Sequence, residues 1–406
     1  MKKNIVTGLD IGTHTIKALA VQENQKSWEV LSYAEIPSFG LRKGAVVNVE
    51  ETAKNVQMIM SGLEKDSGAR ISSVFVNIGG SHLYVTPSDG IISVSRADNR
   101  ISKEDVERVL LATKAINIPH NEEVLDVFPK EFIIDDQHGI RQPEGLMGIR
   151  LEAKVLLLCY FQPYFTNLTQ AVLGSRLQIN DIIPSPLAAA AAVLTPQQKE
   201  LGVALIDLGA ATTSLAVFEE SQLIHLAVFP IGSANITNDI AIGLKTEVAV
   251  AEAIKKQHGT CMFAKSDQLK SDQGKKKIEI FEKSSSLNFT KKNLVDIIEP
   301  RVSEIFDLIQ KELKKIGRQE LLPGGIVLTG GGAKLPKIKE LAKETLKLSC
   351  NIGIPDQIDG LPEDPSVATV AGLITGGVDF DSQAGILEIT KGWSSKMKKI
   401  FKLFVP

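Results

Sequence analysis

"GLDIGTHTIKALAV" (residues 8–21) and "LIDLGAATTSLAVF" (residues 205–218) decide the fold. In each, an aspartate sits in an apolar strand, Asp10 or Asp207, and a glycine follows two residues later, Gly12 or Gly209. A threonine-containing turn comes next, then a second apolar strand. β-Branched residues on both sides of a tight Gly-Thr turn read as strand, turn, strand. One such hairpin is an ordinary structural feature. Two in the same frame, with Asp10 and Asp207 lying 197 positions apart, indicate two related halves.

A third stretch, "GIVLTGGGAKLP" (325–336), runs from a strand into Gly330, Gly331, Gly332 and Ala333, with a helix expected from Pro336. The three turns together suit one chemistry. Binding a triphosphate needs backbone N–H groups close to anionic oxygens, which favours glycine and small hydroxyl residues in tight turns. Gly12, Thr13, His14 and Thr15 offer that on one side; Gly209, Ala210, Ala211, Thr212 and Thr213 offer it on the other. Asp10 and Asp207, one at each strand end, suit a Mg²⁺ ion that keeps most of its waters. Lys17 on the return strand is placed to offset phosphate charge, and the Gly330–Gly332 backbone lets a nucleoside lie flat.

Around these turns the pattern alternates strands and helices, an α/β chain. A helix is expected near 50–64 and a strand within "ISSVFVNIGG" (71–80). From about 84 to 161 the character changes to strands around a helix capped by Ser102 and Asp105, a small α+β insert. Further helices are expected over 164–177, 186–194, 247–258 and 291–316. "KSDQGKKKIEIFEK" (270–283) reads as a solvated hairpin or a basic protein-binding patch, and the polar, Gly-containing stretch from about 376 to 392 as a linker.

At 406 residues the chain exceeds one compact domain. Its net charge of −2 carries no basic excess that argues for nucleic acid. Cys159, Cys261 and Cys350 form no Cys-x-x-Cys and suit a reducing cytosol. Nothing in the sequence reaches the roughly 18 apolar residues of a membrane span, so a cytoplasmic location is expected.

The two phosphate hairpins and the late Gly-rich turn, in this order, resemble the actin, sugar-kinase and heat-shock-chaperone ATPase fold. Within it the chain resembles the FtsA family of bacterial cell-division proteins over essentially its whole length. "GLRKGAVVNVE" (40–50), "GIRQPEGLMGIRLEAKV" (139–155), "AEAIKKQHG" (251–259), "IIEPR" (297–301) and "GIVLTGGGAKLP" carry the likeness. The resemblance implies one actin-like half over 1–83 and 162–196, the FtsA-type insert over 84–161, and a second half over 197–240 and 322–376. It implies a smaller subdomain, 241–321, over the nucleotide, then a linker over 377–391 and an amphipathic helix over 392–406. ATP and Mg²⁺ are the implied ligands. The implied partners are the tail of the tubulin-like ring protein FtsZ, further copies of the chain, an anionic inner-membrane surface and later septal proteins.

Glu252 and Lys255 are implied to touch ribose and adenine. Their i, i+3 spacing alone fits a surface ion pair as well. Arg301 is implied to begin the helix that receives the FtsZ tail, where a solvated arginine is the plain alternative.

Two departures from ATP-hydrolysing relatives point to binding rather than turnover. "DLGAATTS" has Ala210 and Ala211 where glycines are common, with Ser214 at a frequent acid position, and a β-carbon at Ala211 is expected to restrict φ. In "PSPLAAAA" Ser185 stands where relatives carry a water-positioning glutamate, so a general-base factor of roughly 10²–10⁴ is missing.

The segment "GWSSKMKKIFKLFVP" (392–406) has four lysines and no acid. On a helix, Trp393, Met397, Ile400, Phe401 and Phe404 share one face with Leu403 at its flank. Lys398, Lys399 and Lys402 take the other side, with Lys396 at the border. The fourteen residues 393–406 span about 21 Å as a helix, short of the ~30 Å hydrocarbon core, so such a helix lies on a bilayer. Lysines opposite tryptophan and phenylalanine fit anionic lipid; a helix folded onto the protein's own core is the alternative. A small-molecule kinase and a pilus-assembly relative sharing the insert remain rival functions. Neither leaves a use for the basic tail.

Overall fold

The computed structural model describes residues 5–24, 27–263, 277–282 and 285–382. Two sheets repeat one plan. In the first, the strands run Gln178–Pro184, Ser73–Ile78, Ile5–Ile11, Thr15–Asn24 and Ser27–Pro37, with the short Ile358–Asp359 at the far edge. In the second they run Cys350–Ile352, Ile326–Thr329, Val203–Leu208, Thr213–Glu219 and Gln222–Phe229. The first three strands of each are parallel and the next two antiparallel, while the edge strand Ile358–Asp359 pairs parallel to Ser27–Pro37. Ile5–Ile11 and Val203–Leu208 therefore occupy equivalent positions, and their hairpins point the same way within each half.

The second sheet does not stop at Gln222–Phe229. Ala227 pairs with Tyr84, and the sheet continues through Tyr84–Ser93, Arg150–Phe161, Glu122–Ile134 and Gln137–Ile140. These four antiparallel strands and the helix Lys103–Ala112 enclose a core of their own around Val109, Leu151 and Leu157. That helix begins with the Ser102–Asp105 capping box.

Each half is otherwise closed by amphipathic helices. Val49–Ser67 starts where the Asn48 side chain accepts from the Glu51 N–H and ends at Gly68, φ +64°, burying Val56, Ile59, Met60 and Leu63 against the first sheet. Lys291–Lys315 places Leu294, Ile298, Val302, Ile305, Phe306 and Ile309 on one stripe against the second core.

Three features differ from the sequence expectation. The strand Ser27–Pro37 and the helix Ser233–Leu244 carry no strong periodic signal yet complete the two halves. The linker expected from residue 377 begins as helix, because Ala368–Ser382 runs through it. Its glycines are packing positions rather than breakers: a Cβ on Gly372 would stand 1.7 Å from the Ala188 carbonyl oxygen, and one on Gly377 would stand 2.7 Å from the Phe75 ring. The membrane-directed residues expected over 392–406 and the Lys-rich part of the hairpin before residue 277 lie outside the described residues.

Candidate functional site

A cleft of about 640 Å³ opens between the halves, walled by both Asp-x-Gly hairpins. On one wall stand Asp10, Gly12, Thr13, His14, Thr15 and Lys17; on the other Asp207, Gly209, Ala210 and Thr212. Gly330, Gly331 and Gly332 line a third side, with Glu252 and Lys255 opposite. The hairpins match in detail. Gly12 N donates to Thr15 O at 3.1 Å and Gly209 N to Thr212 O at 3.0 Å. A Cβ on Gly12 would stand 2.8 Å from that same oxygen, and one on Gly209 would stand 3.0 Å from its counterpart, so a side chain at either position crowds its turn. Gly330 adopts φ +83°, and a Cβ there would fall 2.2 Å from Asp207 Oδ1.

Ala211, Thr213 and Ala333 stand off the cleft wall. Thr213 turns its hydroxyl to donate to Ile231 O at 2.8 Å, and Ala333 is buried in the second core. Neither Ala210 nor Ala211 has positive φ, so their β-carbons cost nothing in backbone strain.

The electrostatics favour a cation between the two aspartates. Asp10 is 7% exposed; burial raises its pKa, Lys17 pulls it back, and Glu35 pushes it up again. Asp207 is pushed up to about 6 by burial and by the charge of Asp10, against the pull of Lys17. Lys17 Nζ stands 4.0 Å from Asp10 Oδ2 and donates to Thr15 Oγ1 at 3.0 Å. A buried and a half-buried carboxylate share one buried lysine, an arrangement a hydrated divalent ion would balance. Lys17 lies opposite Asp10 in register, whereas the equivalent partner of Asp207 is the neutral Ser214.

Glu252 and Lys255 are not a plain surface pair. The Lys255 side chain is 11% exposed; its Nζ stands 2.7 Å from Glu252 Oε2 and donates to Thr237 Oγ1 at 2.8 Å and Ser233 O at 3.1 Å. The same Ser233 donates its N–H to Gly209 O at 2.9 Å, and Ala234 N donates to Ala210 O at 2.8 Å. The helix Ser233–Leu244 thus ties the second hairpin to the Glu252–Lys255 network. Arg301 lies away from the cleft. Its guanidinium grips Asp239 with two bonds, 2.6 and 3.0 Å, and also meets Glu304.

Sequence reasoning missed Glu35, Gly44 and Asn77 on the cleft wall. Gly44 N donates to Thr13 Oγ1 at 2.9 Å and so braces the first hairpin from a distant loop. Ser185, at the position where relatives are expected to carry a glutamate, is engaged in internal bonds: its Oγ donates to Ile78 O at 3.1 Å and accepts from Asn77 Nδ2 at 3.1 Å.

Among the described residues, no helix is long and apolar enough to cross a membrane. Comparison with known proteins agrees with the geometry. The family profile described as cell division protein FtsA matches residues 204–372, and that of the SHS2 domain inserted in FtsA matches residues 80–159. The cell division protein FtsA of Pseudomonas aeruginosa is 36% identical over 390 residues, 95% of this chain and 92% of that protein. That of Bacillus subtilis is 35% identical, covering 91% of this chain and 82% of its own length. Among solved structures, a PilM–PilN type IV pilus biogenesis complex superposes with TM-score 0.67 at 19% identity, covering 92% of this chain and 98% of that one. MreB5 of Spiroplasma citri bound to ADP gives 0.54 at 12% identity, covering 92% of this chain and 98% of that one. These last two likenesses show an actin-like fold.

Proposed function

This chain belongs to the FtsA family of cell division proteins, and on that premise we propose that it binds Mg·ATP between its halves, assembles with further copies of itself and tethers the FtsZ ring to the inner face of the cytoplasmic membrane. The carrying observation is the pair of matched Asp-x-Gly hairpins facing one cleft. Gly12 to Thr15 and Gly209 to Thr212 would cradle the phosphates. Asp10 and Asp207 would hold Mg²⁺ through water, and Glu252 with Lys255 would flank the nucleoside. The metal supplies neutralisation of phosphate charge. The neighbours solved with bound ADP and as a MamK double helical filament support nucleotide binding and assembly as the reading for this fold.

Binding rather than turnover is the expected role. Ser185 has no carboxylate, its proton is given to Ile78 O, and one lone pair is taken by Asn77. Nucleotide would act as an assembly switch, with hydrolysis slow. An FtsZ tail docking on the subdomain 241–321 would have to displace Asp239 to reach the Arg301 fork. The basic amphipathic segment 392–406 would supply the lipid contact, each lysine near an anionic surface contributing about 1 kcal/mol. Several such segments on one filament bind far more tightly than one. Relatedness over more than nine-tenths of the chain supports this reading over the pilus-assembly and small-molecule-kinase alternatives.

The test is calorimetric titration of ATP with Mg²⁺ into the full chain and into Gly12→Ala and Gly209→Ala variants. One nucleotide per chain is expected, with each variant weakened at least about tenfold by the Cβ contacts at 2.8 and 3.0 Å. Full affinity in either variant would show that only one hairpin meets the phosphates, and absence of binding in the native chain would end the reading.

A further inference from the structure

We propose that Asn77 is a positioning residue that holds Asp10 in the orientation needed for a hydrated divalent cation, an inference that rests on the Mg·ATP reading of the cleft. Asn77 is 4% exposed, at the end of the parallel strand beside Ile5–Ile11. Its Oδ1 accepts from Ile11 N at 2.7 Å. A backbone N–H only donates, so the amide has one possible orientation, with Nδ2 facing the other way. That Nδ2 donates to Asp10 Oδ1 at 2.8 Å and to Ser185 Oγ at 3.1 Å. One oxygen of Asp10 is thereby fixed by a neutral donor. The other, Oδ2, faces the cleft lysine at 4.0 Å, a loose contact that a metal-bound water can join.

The pseudo-symmetric position shows that this arrangement is not a by-product of the fold. Extending the register Leu9–Val76 by one residue places Asp10 beside Asn77, as Asp207 pairs with Thr329. Thr329 points its hydroxyl away, donating to Gly353 O at 3.1 Å and Pro365 O at 2.9 Å. Among the described residues no side-chain hydrogen bond reaches the Asp207 carboxylate. One aspartate is preset and its twin is free. Partners that hydrogen-bond a ligating carboxylate set its direction, and losing one typically weakens metal affinity 10–100-fold. Asn77 also joins the first hairpin, through Ile11, to Ser185 at the start of the crossing helix Ser185–Val193.

The experiment measures ATP affinity of the full chain in excess MgCl₂ and again in EDTA, for the native protein, Asn77→Leu and Asn77→Gln. Leucine keeps the volume and removes the donor; glutamine keeps the amide and misplaces it by one methylene. The expected result is a loss of about tenfold or more in Mg²⁺ with less than about twofold change in EDTA. Equal losses in both conditions, or none in Mg²⁺, would overturn the proposal by showing a role in structure alone. Should Asn77→Leu fail to fold, Asn77→Gln decides by the same ratio. Native protein that binds no ATP in either condition would refute the nucleotide reading itself, an outcome distinct from failure at Asn77.

Discussion

A carboxylate taken out of water keeps its ordinary acidity only where hydrogen bonds or opposite charges replace that water, and two aspartates here show both outcomes. Asp105 is fully buried, and burial alone would raise its pKa. The Ser102 N–H and hydroxyl at 3.0 and 2.7 Å and the Ser95 N–H and hydroxyl at 3.1 and 2.9 Å outweigh that and hold it down to about 2. Asp207, without such donors, rises to about 6. A depressed carboxyl contributes stability that is complete above its unfolded pKa, 3.8, and is lost as pH falls toward about 2. Native protein should therefore lose about 2 kcal/mol across that window relative to Asp105→Asn, read from urea unfolding at stepped pH. The Ser102–Asp105 pair was legible because its members sit three residues apart and cap a helix locally. Asn77 was not: its partners Asp10 and Ser185 lie 67 and 108 residues away, and only the parallel strand brings them together.

At the scale of elements, the helices Ser185–Val193 and Ala368–Ser382 cross between the halves, and glycine sets how closely they approach. Gly372→Ala gains helix propensity yet forces a Cβ to 1.7 Å from Ala188 O, so the helices must part. A net loss of about 2 kcal/mol is expected by thermal or denaturant unfolding. Gly62→Ala provides the opposite sign. Gly62 lies exposed in Val49–Ser67, a Cβ there meets nothing within 4 Å, and a gain of about 0.5–1 kcal/mol is expected from the same assay. Gly376–Gly377 illustrates where sequence reading ran out. A glycine pair after an apolar run looks like the start of a linker, whereas Gly377 is small because Phe75, from a distant strand, occupies its side-chain space. The hairpins were legible for the reverse reason. Gly12 and Gly209 answer to contacts only three residues ahead, within the quoted motif.

For the whole molecule, the insert joins what the chain order separates. It leaves the first half after Leu83 and returns into the helix Gln162–Gly174, yet its sheet extends that of the second half through Tyr84 and Ala227. Arg141 adds an ion pair to Glu220 at 2.5 Å. The cleft, both halves and the insert thus form one connected frame, to which the segment 392–406 adds the lysines and aromatic residues proposed to meet lipid. Nucleotide and membrane binding are proposed to reinforce each other through assembly. Co-sedimentation with anionic liposomes, with and without Mg·ATP, for the full chain and for one ending at Lys391, tests it most directly. The full chain should pellet with vesicles, more so with Mg·ATP, while the shortened chain stays in the supernatant. If both chains stay soluble, or both pellet alike whatever the nucleotide, the tether reading is contradicted.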